Sequence, residues 1–265
     1  MQRDVSARIV LHVTEPADLV FAIAVSGQYT TSAERFAATL DAAPVDVEEL
    51  VDSHGTRLHR VRSEVGELVV EYSATVAGTG DTAETPDVDV LTYTRPSRYA
   101  ESDALSPTAH AEFAGIDDPA QLLTSVASWV GTRLAYVPGS SLPTDGATRT
   151  LLARQGVCRD YAHLCVALLR ARGVPARLAS VYAPGLIPMD FHAVAEAWVE
   201  GAWHAVDATT LAPRSTLVRI ATGRDAADTA FLNVMSGRAD LIAMEVTATV
   251  DTLPYDDITE LVSLR

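Results

Sequence analysis

Basic residues are scarce in this chain of 265 residues. Twenty Lys and Arg residues stand against 35 Asp and Glu residues, which gives a formal net charge of −15. Because a surface of that sign repels a phosphate backbone, we exclude nucleic acid as a partner. With 48% hydrophobic and 21% charged residues, the composition is that of a globular protein and not of a disordered one.

Long apolar segments and cysteines are also few. The longest stretch without a charge, residues 19–33, contains Ser, Thr, Gln and Gly residues and is too polar to span a bilayer, so we expect no membrane partner. The N-terminus lacks the basic region and apolar run of a signal peptide, which predicts a cytoplasmic protein. The two cysteines form no disulfide framework. No Cys-x-x-Cys, His-Glu-x-x-His or Gly-rich phosphate loop occurs, so we expect no metal and no cofactor.

The chain divides into a strand-rich part and a part with helices and strands. Short extended runs separated by Gly, Asp, Pro and Ser predict an N-terminal β-sandwich domain over residues 1–105. Helical periodicity begins only afterwards, which predicts an α+β domain over residues 106–265. The extended runs are residues 7–13, 19–25, 57–61 and 67–76 in the first part, and 176–182, 192–199, 202–208 and 241–250 in the second.

Three helices are predicted in the second part. Asp118 followed by Pro119 is a typical helix start, because Asp caps the free N–H groups and Pro suits the first helical position. A second helix is expected to run from about residue 145 to residue 155, with Gly156 in the left-handed conformation that ends helices. The third begins near Cys158 and stops at Gly173, which precedes a Val-Pro pair.

Cys158 is the strongest candidate for chemistry. At the first turn of a helix, unpaired backbone N–H groups and the positive end of the helix dipole favour a thiolate, which is the nucleophilic form of cysteine. The same N–H groups can stabilise an oxyanion on an attacked carbonyl. Cys165 lies two turns deeper among apolar residues and is predicted to be a buried structural residue. A buried structural role remains open for Cys158 as well.

A predicted hairpin brings a histidine and a carboxylate together. Glu200-Gly201 suits a two-residue turn, which pairs Val199 with Ala202 and makes the numbers of opposed residues sum to 401. In that register His192 and Asp207 project from the same face, within reach of each other across the ladder. A carboxylate beside an imidazole orients the ring, as a cysteine nucleophile requires of its base. The alternative is an ordinary buried ladder with a structural histidine.

Four blocks of sequence resemble the bacterial transglutaminase-like superfamily, a group often described as cysteine proteases. They are Gly-Val-Cys-Arg-Asp-Tyr-Ala-His-Leu from Gly156, Gly-Val-Pro-Ala-Arg from Gly173, Met-Asp-Phe-His-Ala from Met189, and Trp-His-Ala-Val-Asp from Trp203. The segments Arg-Pro-Ser-Arg-Tyr from Arg95 and Gly-Arg-Asp-Ala-Ala-Asp from Gly223 resemble flanking blocks of the same group. The resemblance covers roughly the last two thirds of the chain.

The resemblance implies a papain-like, transglutaminase-like α+β core with a catalytic triad. It assigns Cys158 as nucleophile, His192 as general base and acid, and Asp207 as the orienting partner of His192. Relatives often supply an aromatic donor to the oxyanion from upstream of the cysteine, and Tyr136 is the candidate here. The chain departs from many relatives in having Val194 and Ala208 where they have Trp and Pro, but neither departure removes a reacting group.

We therefore expect an enzyme that transfers the acyl group of a peptide, protein or small amide substrate through a thioester. Hydrolysis is the favoured outcome, because water is always available whereas an amine acceptor needs its own pocket. Transglutaminase activity stays open, and so does a non-catalytic peptide-binding or protein-binding module on the same fold. The residues do not indicate the substrate or the oligomeric state.

Overall fold

A computed structural model describes residues 1–81 and 85–265, and within these ranges thirteen strands form two large sheets and one two-stranded ribbon. The strands are β1 Gln2–Phe21, β2 Thr31–Leu40, β3 Ala43–Pro44, β4 Val47–Val51, β5 Arg57–Ser63, β6 Gly66–Ala77, β7 Ala135–Tyr136, β8 Gln155–Gly156, β9 Ala176–Tyr182, β10 Phe191–Val199, β11 Ala202–Val206, β12 Val218–Gly223 and β13 Leu232–Val250. The helices are α1 Asp87–Thr92, α2 Ser102–Glu112, α3 Pro119–Arg133, α4 Ala147–Ala153, α5 Cys158–Ala171 and α6 Ala226–Thr229, with a 3₁₀ turn at Arg214–Thr216.

The N-terminal region forms one curled sheet of seven strands, and the predicted β-sandwich is not confirmed. Strand β1 pairs with β6 along its first half and with β5 along its second half, while β13 follows it almost from end to end. Register shifts between Val10 and Leu19 mark bulges, which bend a strand and increase its twist. Two runs that the sequence predicts as separate strands are therefore one long bent strand, and the sheet continues through the bend.

The seventh strand of this sheet comes from the other end of the chain. Strand β13 pairs antiparallel with β1, and Tyr182, Val218 and Ile220 pack into the same core as the inner face of the N-terminal sheet. The division predicted after residue 105 stays a prediction, but the C-terminal part of the chain completes the N-terminal sheet.

The second sheet carries the blocks that the sequence singles out. It has four antiparallel strands in the order β11-β10-β9-β12. Helix α5 packs on β9 and β10, and its apolar residues share a core with α2 and α3. Gly173, at a φ of 79°, takes the left-handed conformation just after α5 and turns the chain into β9. This α+β unit agrees with the predicted second part of the chain.

The helix starts in this unit have clear local causes. The Asp118 carboxylate accepts hydrogen bonds from the N–H groups of Ala120 and Gln121, at 3.4 and 3.2 Å, and so caps α3 as predicted. The expectation for α4 is wrong at its end, because Arg154 and not Gly156 is left-handed, with a φ of 58°. The expectation that helical periodicity begins only after residue 105 is also wrong, since α1 and α2 start before that residue.

No helix within the described residues is both long enough and apolar enough to cross a bilayer.

Candidate active site

Cys158 is the first residue of α5 and is partly exposed. Asp160 lies in the first turn of the helix and accepts a hydrogen bond from the N–H of Val157 at 2.8 Å and another from the Ser141 hydroxyl at 3.0 Å. Gly156 permits this arrangement, because a Cβ there would lie 2.6 Å from the Cβ of Asp160. The start of the helix is therefore rigidly held, and Cys158 stands at its positive end.

The predicted hairpin and its register are confirmed. Val199 pairs with Ala202 and Trp198 with Trp203, as the sum of 401 requires. Glu200 and Gly201 both have positive φ, 53° and 77°, which is typical of the type I′ turn that connects such strands. The ladder ends at Val206, so Asp207 follows directly after the last paired residue.

His192 and Asp207 lie in contact at the end of this hairpin. The imidazole Nε2 and the carboxylate Oδ2 are 2.8 Å apart, and both side chains are almost completely buried. The other carboxylate oxygen, Oδ1, accepts hydrogen bonds from the backbone N–H and the hydroxyl of Thr209, at 2.9 and 2.7 Å. Thr209 is a support that the sequence analysis did not single out, although an Asp followed two residues later by Thr is a known turn signal.

The pKa values of this pair shift apart. Burial on its own would lower the pKa of His192, but the charge and hydrogen bond of Asp207 outweigh burial, and the pKa of the imidazole is raised. Burial would likewise raise the pKa of Asp207, yet His192 and the two Thr209 hydrogen bonds lower it. The pair therefore favours an ionised carboxylate beside a protonated ring.

His192 has one ring nitrogen without a partner among the described residues. Since Nε2 is held by Asp207, Nδ1 is the nitrogen left for the thiol, and within the described residues it is buried with no other partner. The Cys158 thiol contributes to the raised pKa of His192, and both residues line one cavity. The three residues of the predicted triad thus converge at one place.

Tyr136 lies near Cys158 because of a strand pairing that the sequence did not predict. It lies in β7, where it pairs in parallel with Gly156 of β8, two residues before Cys158. Tyr136 is 40% exposed, so its side chain is not packed in the interior of the protein. Burial of the hydroxyl and the proximity of Cys158 together raise the pKa of Tyr136 to about 12.

The remaining polar residues from the sequence analysis have structural contacts. Cys165 is fully buried, and burial raises the pKa of its thiol far above the usual range. Glu196, which the pattern of β10 suggests as a packed surface carboxylate, is instead fully buried between Arg177 and Arg219, at 2.8 and 2.6 Å. Asp225 does not pair with its neighbour in sequence, Arg224, which binds Asp228.

The cavity beside Cys158 has a volume of about 570 Å³ and is broader than the triad alone. Its walls include parts of the N-terminal sheet and of β13 that carry no motif and were not predicted to lie near the site. Within the described residues no cluster of three or more His, Cys, Asp and Glu side chains could hold a metal ion. The residues that line the cavity around Cys158 and His192 include Arg159, Leu178, Ser180, Asp190, Phe191, Ile220, Phe231, Asn233 and Met244.

Known proteins resemble this chain in both sequence and fold. Residues 107–208 match the family model of the transglutaminase-like superfamily. A solved structure of a candidate cysteine protease from Cytophaga hutchinsonii is 32% identical, with a TM-score of 0.89 over 98% of this chain and 96% of that one. An uncharacterized protein of Mycobacterium leprae is 28% identical over 189 residues, which are 61% of this chain and 68% of that protein.

A second mycobacterial relative is longer than the matching region. An uncharacterized protein of Mycobacterium tuberculosis is 28% identical over 175 residues, which are 57% of this chain. The match spans about half, 54%, of that protein. The structure from Cytophaga hutchinsonii, in contrast, is covered almost completely and shares both the curled N-terminal sheet region and the helix-and-sheet core.

Proposed function

The chain belongs to the transglutaminase-like superfamily, and on that premise we propose that it hydrolyses an amide or peptide bond through a thioester on Cys158. At the level of the family, membership supports cysteine-dependent acyl transfer or hydrolysis. The assignment of this activity to particular residues of the chain is our proposal.

The contacts of His192 support this proposal most directly. Asp207 holds Nε2 of His192, which leaves its buried Nδ1 without a partner among the described residues, and His192 and Cys158 line one cavity at the start of α5. A core histidine needs no carboxylate partner, as His163 shows with its hydrogen bond from the backbone N–H of Ala226. A nucleophile, a base and a group that orients the base, in contrast, require this order of contacts.

The chemistry follows from these contacts. The thiol proton passes to Nδ1 of His192, and the Cys158 sulfur attacks the substrate carbonyl carbon. The backbone N–H of Cys158 and the hydroxyl of Tyr136 donate hydrogen bonds to the resulting oxyanion. The C–N bond then breaks, the amine leaves with the proton from His192, and the acyl group remains as a thioester.

Water completes the cycle. His192 takes a proton from water, the hydroxide attacks the thioester carbonyl, and the carboxylic acid leaves as the thiol is restored. Asp207 stabilises the imidazolium in both halves of the reaction. An amine acceptor would enter at the same step as water, so transglutamination differs from hydrolysis only in the final nucleophile.

The test is capture of the acyl-enzyme. The protein is incubated with a mixed library of peptides and amides, quenched in acid and digested, and the peptide that carries Cys158 is analysed by mass spectrometry. We expect an acyl adduct on Cys158 in the native protein, none on Cys165, and none in the Cys158→Ser variant. A native protein that binds library members reversibly without an adduct or a product would instead be a binding module.

A second arm identifies the acceptor. A fluorescent primary amine is added with the same library, and release of free acid is compared with incorporation of the amine. All 20 basic residues of the chain are Arg, so the chain has no lysine with which it could crosslink itself and confuse the result. We expect acid as the main product, and a dominant amide product would replace hydrolysis by transglutamination.

A further inference from the structure

The cavity next to Cys158 has an aromatic and aliphatic wall. Phe191 and Phe231 stack with ring centroids 5.6 Å apart and an angle of 23° between the planes. Met244 is half-buried beside them, and the buried side chains of Leu178 and Ile220 complete the apolar lining. We call these five residues the apolar wall.

Most of this wall comes from outside the triad-bearing blocks of the sequence. Met244 lies in β13 opposite Ile9 of β1, and Asn233 lies eleven residues earlier in the same strand, opposite Val20. A straight strand would hold these two side chains more than 30 Å apart, at about 3.3 Å per residue. Both nevertheless line one cavity, since β1 and β13 bend together at their shared bulges. The paired strands β1 and β13 therefore fold over the site.

Among the described residues, Arg159 and Asp190 are the charged side chains that line the cavity apart from His192. Nη2 of Arg159 donates to the Ser141 hydroxyl and the Leu142 carbonyl oxygen, both at 2.6 Å, while its buried Nε has no partner within the described residues. The Asp190 carboxylate accepts from the N–H of Phe191 at 2.7 Å and lies at the exposed rim. Apolar side chains nevertheless make up most of the cavity wall.

Besides Nδ1 of His192 and Nε of Arg159, a hydroxyl group that lines the cavity lacks a partner within the described residues. The hydroxyl oxygen of Ser180 is buried and, within the described residues, makes no hydrogen bond. Ser180 pairs with Ala193 across β9 and β10, and both residues line the cavity. A buried polar group without a partner costs free energy, and the amide of a bound substrate would satisfy it.

We propose that the acyl donor is a peptide-like molecule with a large apolar side chain within two residues of the attacked carbonyl, packed on the apolar wall. This inference rests on the proposed function, because it takes Cys158 as the attacking group. The cavity volume of about 570 Å³ accommodates such a group together with its main chain, and it lies in the range of ordinary ligand sites. Ser180 donates its hydrogen bond to a main-chain carbonyl of that segment.

The experiment measures covalent labelling of Cys158 by three probes. Two are acetyl-dipeptide chloromethyl ketones, one with Leu and one with Asn at both positions, which have nearly the same shape and no charge. The third is iodoacetamide, which has no side chain and reports the reactivity of the thiol alone. We expect the Leu probe to react at least about tenfold faster than the Asn probe, because a buried apolar contact discriminates by about that factor.

Two methionines of β13 provide matched variants. Met244 lines the cavity, whereas Met235 lies on the same strand, is 66% exposed and does not line it. Met244→Ala should slow the Leu probe severalfold and leave both the Asn probe and iodoacetamide unchanged, while Met235→Ala should change none of the three. Ser180→Ala should slow both peptide probes and leave iodoacetamide unchanged.

The outcomes separate the two proposals. Equal rates for the Leu and Asn probes, with iodoacetamide reacting rapidly at Cys158, would overturn the apolar substrate class and leave the proposed function in place. Failure of all three probes to modify Cys158 in the folded protein would overturn the proposed function, and this inference with it. Equal effects of the two methionine variants would show that β13 acts on the fold and not on the substrate.

Discussion

Helix α5 carries two cysteines whose surroundings are opposite. Cys158 begins the helix, is partly exposed and lies against His192 and Tyr136. Cys165, two turns later, is fully buried among apolar side chains, where a thiolate would be strongly disfavoured. Residue type alone therefore says nothing about reactivity, which depends on the place in the helix and on the groups that meet the sulfur.

Two buried histidines, His163 in α5 and His192 in β10, also have opposite surroundings. His192 has a carboxylate at 2.8 Å, which raises its pKa. His163 accepts a hydrogen bond from the N–H of Ala226 at 3.1 Å and stacks on Tyr99, and burial lowers its pKa to about 3. An imidazole that accepts a backbone N–H is held neutral, whereas one that donates to a carboxylate can carry a proton.

The largest effect is expected at Asp207. Asp207→Asn keeps the size of the side chain but removes the charge that stabilises the imidazolium, so turnover should fall by up to about four orders of magnitude. Thermal unfolding of the variant serves as the control that the fold is retained. Turnover within a few fold of the native value in a folded variant would reduce the His192–Asp207 contact to a structural one.

Removal of the Tyr136 hydroxyl is expected to have the next largest effect. Tyr136→Phe should lower kcat by about 10²- to 10³-fold, the usual cost of one oxyanion donor. Tyr161 provides the matched control, since its ring lies 5.9 Å from that of Tyr136 and is buried. Tyr161→Phe should therefore leave kcat nearly unchanged, and equal losses in the two variants would exclude a specific role for Tyr136.

The comparison of the two cysteines can be measured directly. At about pH 6, iodoacetamide should modify Cys158 much faster than Cys165 in the folded protein, and His192→Ala should slow modification of Cys158 because the thiolate loses its cationic partner. Mass analysis of the two tryptic peptides gives both rates in one experiment. In denaturant the two thiols should react alike, which makes the unfolded protein the internal reference.

The smallest expected effect concerns how His163 and His192 make the stability of the protein depend on pH. The pKa of His163 is lower in the folded protein than the unfolded value of about 6.5, so its contribution to stability is present above pH 6.5 and is lost as the pH falls towards 3. The pKa of His192 is raised in the folded protein. Its contribution to stability is therefore present below about pH 6.5 and is lost as the pH rises above that value.

Denaturant unfolding at several pH values checks this contrast. Between pH 6.5 and 5, above the ordinary titration range of carboxylates, the native protein should lose more stability than His163→Gln does. If the free energy of unfolding changed equally with pH in both proteins, a group other than His163 would titrate in this range.

Local signals predicted the triad because each of its parts depends on neighbours in sequence. The start of α5 at Cys158 follows from a helical pattern, and the His192–Asp207 contact follows from a two-residue turn that determines the register of β10 and β11. The resemblance to a family added the roles of these residues. Helix α4 shows the limit of such signals, since a glycine at 156 suggested a helix end that Arg154 supplies.

The curled N-terminal sheet could not be predicted in the same way. Periodicity indicates that a segment is a strand but not which strand it joins, and β1 changes partners from β6 to β5 at its bend. Glu196 illustrates the same limit for charge, because the alternation of β10 places it on the face of His192 but does not reveal Arg219, which meets it from β12.

By itself, the sequence determined the local geometry of this protein: the helix that begins at Cys158, the hairpin that joins His192 to Asp207, and the acidic surface charge. Only the tertiary structure decided that β7 places Tyr136 beside Cys158 and that β13 returns across the chain to bring Met244 and Asn233 to the cavity. The physical reason is that turns and helix starts depend on backbone preferences of adjacent residues, whereas contacts between distant segments depend on packing and leave no pattern along the chain.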